Sequence, residues 1–63
     1  MGEFVSLTHD GVKVETEDAI LFRFPHGHVW IPRSLINDYS DEEKYVDVPG
    51  WFVEKEELEG YEA

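Results

Sequence analysis

The stretch Ala19 to Ile36, A-I-L-F-R-F-P-H-G-H-V-W-I-P-R-S-L-I, decides the fold, because it reads as two apolar strands folded back on each other about His26-Gly27. Side chains alternate across a strand, so Ile20, Phe22, Phe24, Val29 and Ile31 share one face, and Ala19, Leu21, Arg23, His28 and Trp30 share the other. The first set is wholly apolar and is predicted to face a core. A two-residue loop at His26-Gly27 sets Phe24 against Val29, Phe22 against Ile31 and Arg23 against Trp30. Gly27 supplies the positive φ of a tight hairpin, and Pro25 is tolerated at the rim of the ladder. A slip of one residue would put both phenylalanines in water, so the register is expected to be well fixed. On the mixed face, Trp30 is placed to stack on Arg23 as a cation–π pair worth about 0.5–1 kcal/mol when exposed, or to lie beneath another element.

Working outward toward lower numbers, Glu17-Asp18 reads as a short turn, and Val12 to Thr16 alternates Val12, Val14 and Thr16 with Lys13 and Glu15. That alternation predicts a half-buried strand. Asp10-Gly11 is a turn pair, and Glu3 to Thr8 alternates as a short strand, so the first half is expected to be a four-stranded meander. Toward higher numbers, Pro32 ends the pairing of its strand for want of an amide hydrogen. Residues 33–36 then predict a 3₁₀-like turn that brings Leu35 or Ile36 to the core. Asn37 to Lys44 reads as an exposed acidic loop, with Ser40 three residues ahead of Glu43 in a capping pattern. Lys44 to Val48 alternates as a fifth strand. Pro49 opens a helix that runs toward Gly60, with Trp51 and Leu58 on one face and docked, together with Phe52, on the mixed face around Leu21 and Trp30 or on an open barrel end.

Composition sets bounds on this picture. With 63 residues the chain is expected to form a single small domain, 1–63, and domains of that size bury only about 60% of their unfolded surface. No cysteine is present, which excludes disulfides and cysteine-based zinc sites, so stability must come from the four Phe, two Trp and three Tyr, or from homo-oligomerisation. The fold class predicted is α+β, mainly β: a small bent antiparallel sheet or barrel of four to five strands with a short C-terminal helix. No leader pattern and no apolar run long enough to cross a bilayer is found, so a cytoplasmic location is expected. The net charge is −10, with residues 1–36 contributing −2 and residues 37–63 contributing −8. Such a chain repels phosphates, which argues against direct nucleic-acid or anionic-membrane binding and points to a protein partner with a basic surface, or to acid that only confers solubility.

The runs V-W-I-P-R-S-L-I at Val29–Ile36 and V-D-V-P-G-W-F-V-E-K-E-E-L at Val46–Leu58 resemble a family of very short uncharacterised bacterial and bacteriophage proteins with the pattern V-W-I-P-K-S-x-I, acidic loop, V-P-x-W-x-x-x-x-x-L. Departures from that pattern are His26-Gly27 at the turn, Arg33 in place of lysine, and Gly50 where an acid is usual. The resemblance implies an accessory product of a phage, prophage or other mobile element. The first run is also similar to the strand, Ile-Pro and 3₁₀ passage of Src-homology-type small barrels, in which an aromatic residue and the proline help to line a peptide groove. Trp30 and Pro32 match that role.

Candidate chemistry is sparse. His26 and His28 flank Gly27 with no third metal ligand fixed by spacing, and they read as exposed turn histidines alongside His9. The acids of residues 37–43 lack the glycine and the alternation of a calcium loop. The serines, histidines and carboxylates show no spacing that assembles a nucleophile, a base and an orienter, and so short a chain has little bulk for a pocket. No catalytic residue, cofactor or metal is therefore assigned, and the chain is not expected to be an enzyme. The candidate partner-binding residues are Arg23, Trp30, Glu54, Glu56, Glu57 and Glu59. Trp and Arg dominate interaction hot spots, while Trp30 and Trp51 pressed together in the core is the plainer reading. The four glutamates carry an alternative, an acidic nucleic-acid mimic that blocks a basic groove of a host enzyme. A third reading is a structural subunit that self-associates through an exposed strand edge.

Overall fold

A computed structural model describes residues 3–63. Six strands follow in order: β1 (Phe4–Thr8), β2 (Gly11–Glu15), β3 (Ala19–Phe24), β4 (Gly27–Pro32), β5 (Asp38–Ser40) and β6 (Tyr45–Pro49). Among the described residues one α-helix, α1 (Gly50–Lys55), comes after β6, and 3₁₀ turns lie at Arg33–Leu35 and Glu59–Tyr61. The strands form two three-stranded antiparallel sheets, with order β1–β6–β5 in sheet I and β2–β3–β4 in sheet II. The mainly β architecture with a short late helix is as the sequence predicts, with six strands in two sheets and no closed barrel.

The central hairpin buries the predicted face: Ile20, Phe22, Phe24, Val29 and Ile31 all lie in the core. Its register is displaced by two residues from the one expected. Phe24 pairs with Gly27, Arg23 with His28, Phe22 with Val29, and Leu21 with Trp30, so the loop is Pro25-His26. The cause is local, since Pro25 has φ pre-set for the first corner of a turn and Gly27, at φ 148°, closes it. A shift of two leaves every side chain on its own face. It does separate Arg23 from Trp30, so the expected direct cross-strand pair is not formed.

β1 does not join β2 in a meander. It pairs instead with β6, Val5 against Val48 and Leu7 against Val46. His9-Asp10-Gly11 is a bend at which the chain leaves one sheet for the other: the His9 amide donates to the Lys44 carbonyl at 3.1 Å, and the next amide, of Asp10, donates to the Arg23 carbonyl of sheet II. Gly11 makes the corner possible with φ 137°. Strands that switch sheets at a bend in this way form the corners of packed sheets.

Leu7, Val46 and Val48 from sheet I meet the hairpin residues, with Phe52, Val53 and Leu58 completing one cluster. Each large apolar side chain taken out of water stabilises by about 1.5–3 kcal/mol, and with no disulfide this cluster carries the fold. α1 packs against β6 and β1 and leaves the solvent face of sheet II uncovered. It is shorter than the helix the sequence suggests. The helix stops at Lys55, after which Glu57 takes a left-handed conformation at φ 58°. The Leu58 amide reaches back to the Val53 carbonyl at 2.9 Å, and that of Glu57 to Glu54 at 3.2 Å. This is a Schellman stop, which turns Leu58 into the core. Phe52 and Val53 are the residues that α1 buries, and Trp51 points away, 54% exposed, rather than sharing a docked face with Leu58.

Residues 37–44 are likewise not only a loop. Asp38–Ser40 is a strand on β6, with Tyr39 opposite Val46, and only residues 41–44 form a turn, in which the Glu43 amide donates to the Ser40 hydroxyl at 2.9 Å. The 3₁₀ turn after Pro32 forms as expected, with Leu35 and Ile36 half-buried against the core.

Candidate functional site

The two sheets present very different faces to solvent. On sheet I, Ser6 stands opposite Asp47, and Asp47 opposite Asp38. Two carboxylates set directly across a ladder repel each other. Each has its own donor: the Ser6 hydroxyl donates to Asp47, and the Tyr45 hydroxyl donates to Asp38 at 2.8 Å. The hydrogen bond to Asp38 holds the Tyr45 hydroxyl proton and pushes its pKa up from the ordinary value. Apart from Phe4 and Pro49 at its end, this face is polar and internally bonded.

The solvent face of sheet II is apolar at its centre. A bulge between Val12 and Val14 breaks the alternation of β2, so Val12 pairs with Phe22 on the core side while Val14 pairs with Leu21 on the solvent side. The strand is therefore not the evenly alternating one the sequence suggests. Its consequence is a row across three strands, Val14 beside Leu21 beside Trp30. Val14 is 39% and Trp30 49% exposed. The Arg23–His28 pair flanks the row on one side, and the Ala19–Pro32 pair flanks it on the other. Among these paired positions there is no acidic residue, in a chain of net charge −10. Trp30 and Trp51, expected to be pressed together in the core, are both on the surface.

The glutamates named from the sequence do not share a helical face. Glu54 lies within α1, Glu56 caps its end, Glu57 holds the left-handed position, and Glu59 opens the following 3₁₀ turn. Glu56 is half-buried and lies 3.7 Å from the Lys55 ammonium; the other three are exposed.

His9, read from the sequence as an exposed turn residue, is buried at 2% exposure. Its Nδ1 accepts from the Gly11 amide at 2.9 Å, while Nε2 donates to the carbonyls of Ser40 at 3.1 Å and Tyr45 at 3.2 Å. The ring thus ties β2, β5 and β6 to the corner and packs against Phe22 with the ring centroids 4.7 Å apart and the planes tilted by 57°. Burial lowers its pKa, against the pull of the two carbonyls and of Asp41, with the Lys44 ammonium adding to the lowering. The Gly11 amide, aimed at Nδ1, leaves no place there for a second proton. His26 instead stacks on Tyr61 at 5.4 Å, with Nδ1 3.1 Å from the Tyr61 hydroxyl.

Among the described residues, no group of three or more His, Cys, Asp or Glu side chains is placed to hold a metal ion. Asp41, from the acidic run, accepts the Val12 amide at 3.0 Å, which lowers its pKa, and lies 3.6 Å from the Lys44 ammonium. A recess of about 200 Å³ is lined by Arg33, Ile36, Asn37, Asp38 and Tyr39. Small-molecule sites usually span ~300–1,000 Å³, and Arg33 is already held by the Thr16 carbonyl at 2.7 Å and by Glu15 at 3.4 Å. No helix of the described residues is long and apolar enough to cross a membrane. No family model matches the chain, and neither a curated protein nor a solved structure is significantly similar to it.

Proposed function

We propose that the chain is a small non-enzymatic interaction protein whose contact surface is the solvent face of sheet II, anchored on Trp30. The observation that carries this reading is the row on the solvent face of sheet II in which exposed Val14 and Trp30 flank half-buried Leu21, with Arg23 beside it. Trp and Arg supply a disproportionate share of the binding energy at protein interfaces, and a sheet holds them with little ordering entropy left to lose. The net charge of −10 adds long-range attraction to a partner with a basic surface, while the apolar row supplies the short-range contact.

The test compares three immobilised baits in the native host's extract: wild type, Trp30→Ala, and a charge-reversed chain with Glu54, Glu56, Glu57 and Glu59 changed to lysine. The expected outcome is a partner retained by wild type in moderate salt, lost with Trp30→Ala and still held by the charge-reversed bait. Loss with the charge-reversed bait alone, together with steep weakening in salt, overturns the reading in favour of an acidic mimic.

A further inference from the structure

A sheet's edge strands offer unpaired amides and carbonyls to any other strand, and folded proteins cover or blunt them. The edges here are β1 and β5 in sheet I, and β2 and β4 in sheet II. Three of them are occupied. The Ala63 amide donates to the Ser6 carbonyl at 2.9 Å, and Glu62 bridges Leu7, which covers β1. The outward amide of Val12 on β2 is taken by the Asp41 carboxylate, and on β5 the Tyr39 amide is taken by Asp38 at 2.9 Å.

β4 differs. The carbonyls of Ala19 and Arg23 accept from Thr16 and Asp10 on the β2 side, so alternation turns Ile20, Phe22 and Phe24 toward β4. Their partners Ile31, Val29 and Gly27 therefore bond inward, and His28 and Trp30 present backbone groups to the free edge. Among the described residues nothing occupies them. Pro32, lacking an amide hydrogen, ends this edge on one side, and the Pro25-His26 loop ends it on the other.

We infer that this edge is occupied by a second copy of the chain, through antiparallel pairing of β4 with β4 across a two-fold axis at Val29. The inference goes beyond the contact face proposed above, because it concerns the backbone edge and needs no other partner. Self-complementarity chooses the occupant. With the axis at Val29, the outward groups of His28 meet those of the partner's Trp30, and each pair exchanges both backbone hydrogen bonds. An axis through Trp30 would instead place His28 against Pro32, which cannot donate. In the Val29 register each Trp30 side chain also lies beside the partner's His28, so in the resulting six-stranded sheet each apolar row is continued by the partner's His28–Arg23 pair and the two Trp30 side chains are diagonal neighbours across the seam. Neither edge strand of that sheet is open, since β2 is blunted by Asp41, so the assembly closes as a dimer. The β4 strand carries no acid, and the −10 charge of each copy lies elsewhere, so screening by salt strengthens this association.

The test is sedimentation velocity from low micromolar to near-millimolar protein, at low and high salt, together with single-cysteine variants of this cysteine-free chain. The expected result is a monomer–dimer equilibrium that tightens severalfold in high salt. Oxidised Val29→Cys, which faces itself across the axis at a non-hydrogen-bonded position where Cα atoms lie about 4.5 Å apart, forms a disulfide dimer. Val14→Cys, more exposed but remote from the axis, remains mostly uncrosslinked. A wild type that stays monomeric throughout, growth beyond a dimer, or equal crosslinking of the two variants overturns the inference. A monomeric result leaves the Trp30 contact face standing, since that reading is decided by the Trp30→Ala bait.

Discussion

The two sheets each have three antiparallel strands, yet on its solvent face one spends its side chains on itself and the other does not. On sheet I, Ser6, Asp47, Asp38 and Tyr45 bond to one another, although that means two carboxylates facing each other across the ladder. On sheet II, Val14 and Trp30 are exposed on either side of half-buried Leu21, and the neighbouring edge strand keeps its outward backbone groups free. Polar groups that already have partners gain little from a new surface, whereas exposed apolar area and an unpaired edge gain a great deal. The contrast is the ground for proposing sheet II as the contact side.

The largest test of that division lies along β3, where one strand serves both sides. Phe22→Ala should cost about 3–5 kcal/mol, enough to unfold most of so small a domain, because the ring is fully buried between His9 and Tyr39. Leu21→Ala, one position along and on the solvent face, should cost less than about 1 kcal/mol in the same urea titration. Comparable losses would mean that the solvent face of sheet II is covered.

Next in size is the corner that joins the sheets. His9→Ala should cost about 2–4 kcal/mol, because it leaves the Gly11 amide and two carbonyls without their partner. The pH dependence follows from the lowered pKa. The unfolded chain protonates this ring near 6.5 while the folded chain keeps it neutral, so its contribution is complete above pH 6.5 and is lost as pH falls toward the folded value. Asp41, whose pKa is lowered by the Val12 amide, acts further down, below its ordinary 3.8. Thermal melts between pH 7 and pH 5 should therefore fall more steeply for wild type than for His9→Ala.

Smaller effects separate the two solvent faces. Tyr45→Phe removes the donor to Asp38 and should lower the urea midpoint by less than either buried substitution, leaving capture by Trp30 unchanged. Glu57→Gly relieves a left-handed glutamate and should raise stability by about 0.5 kcal/mol, touching neither face and providing a firmer background for the Trp30 variants.

The comparison also shows what could be read from residues alone. The buried face of the central hairpin was legible, because five apolar side chains at period two have only one way to leave water, and that survives a register displaced by two. Pairing of β1 with β6 was not legible: both strands alternate, and nothing local distinguishes a partner adjacent in sequence from one some forty residues away. The Asp-Gly pair at residues 10–11 imitates a hairpin, while the signal for a corner is His9, whose burial depends on carbonyls from distant strands. The exposed row was hidden for a related reason. Strict alternation keeps Val12 and Val14 together, and only the bulge carries Val14 to the solvent side. Arg23 and Trp30 were found on the correct face, but Trp51 was misplaced because the i, i+7 spacing to Leu58 assumes a helix that continues past Glu57.

Amide hydrogen exchange along β4 in dilute solution tests the central claim most directly. An open edge beside Trp30 predicts that Val29 and Ile31, bonded to β3, exchange slowly while His28 and Trp30 between them exchange fast. Protection of all four amides to the same degree in the dilute monomer would show that the edge is already covered, and would contradict the account.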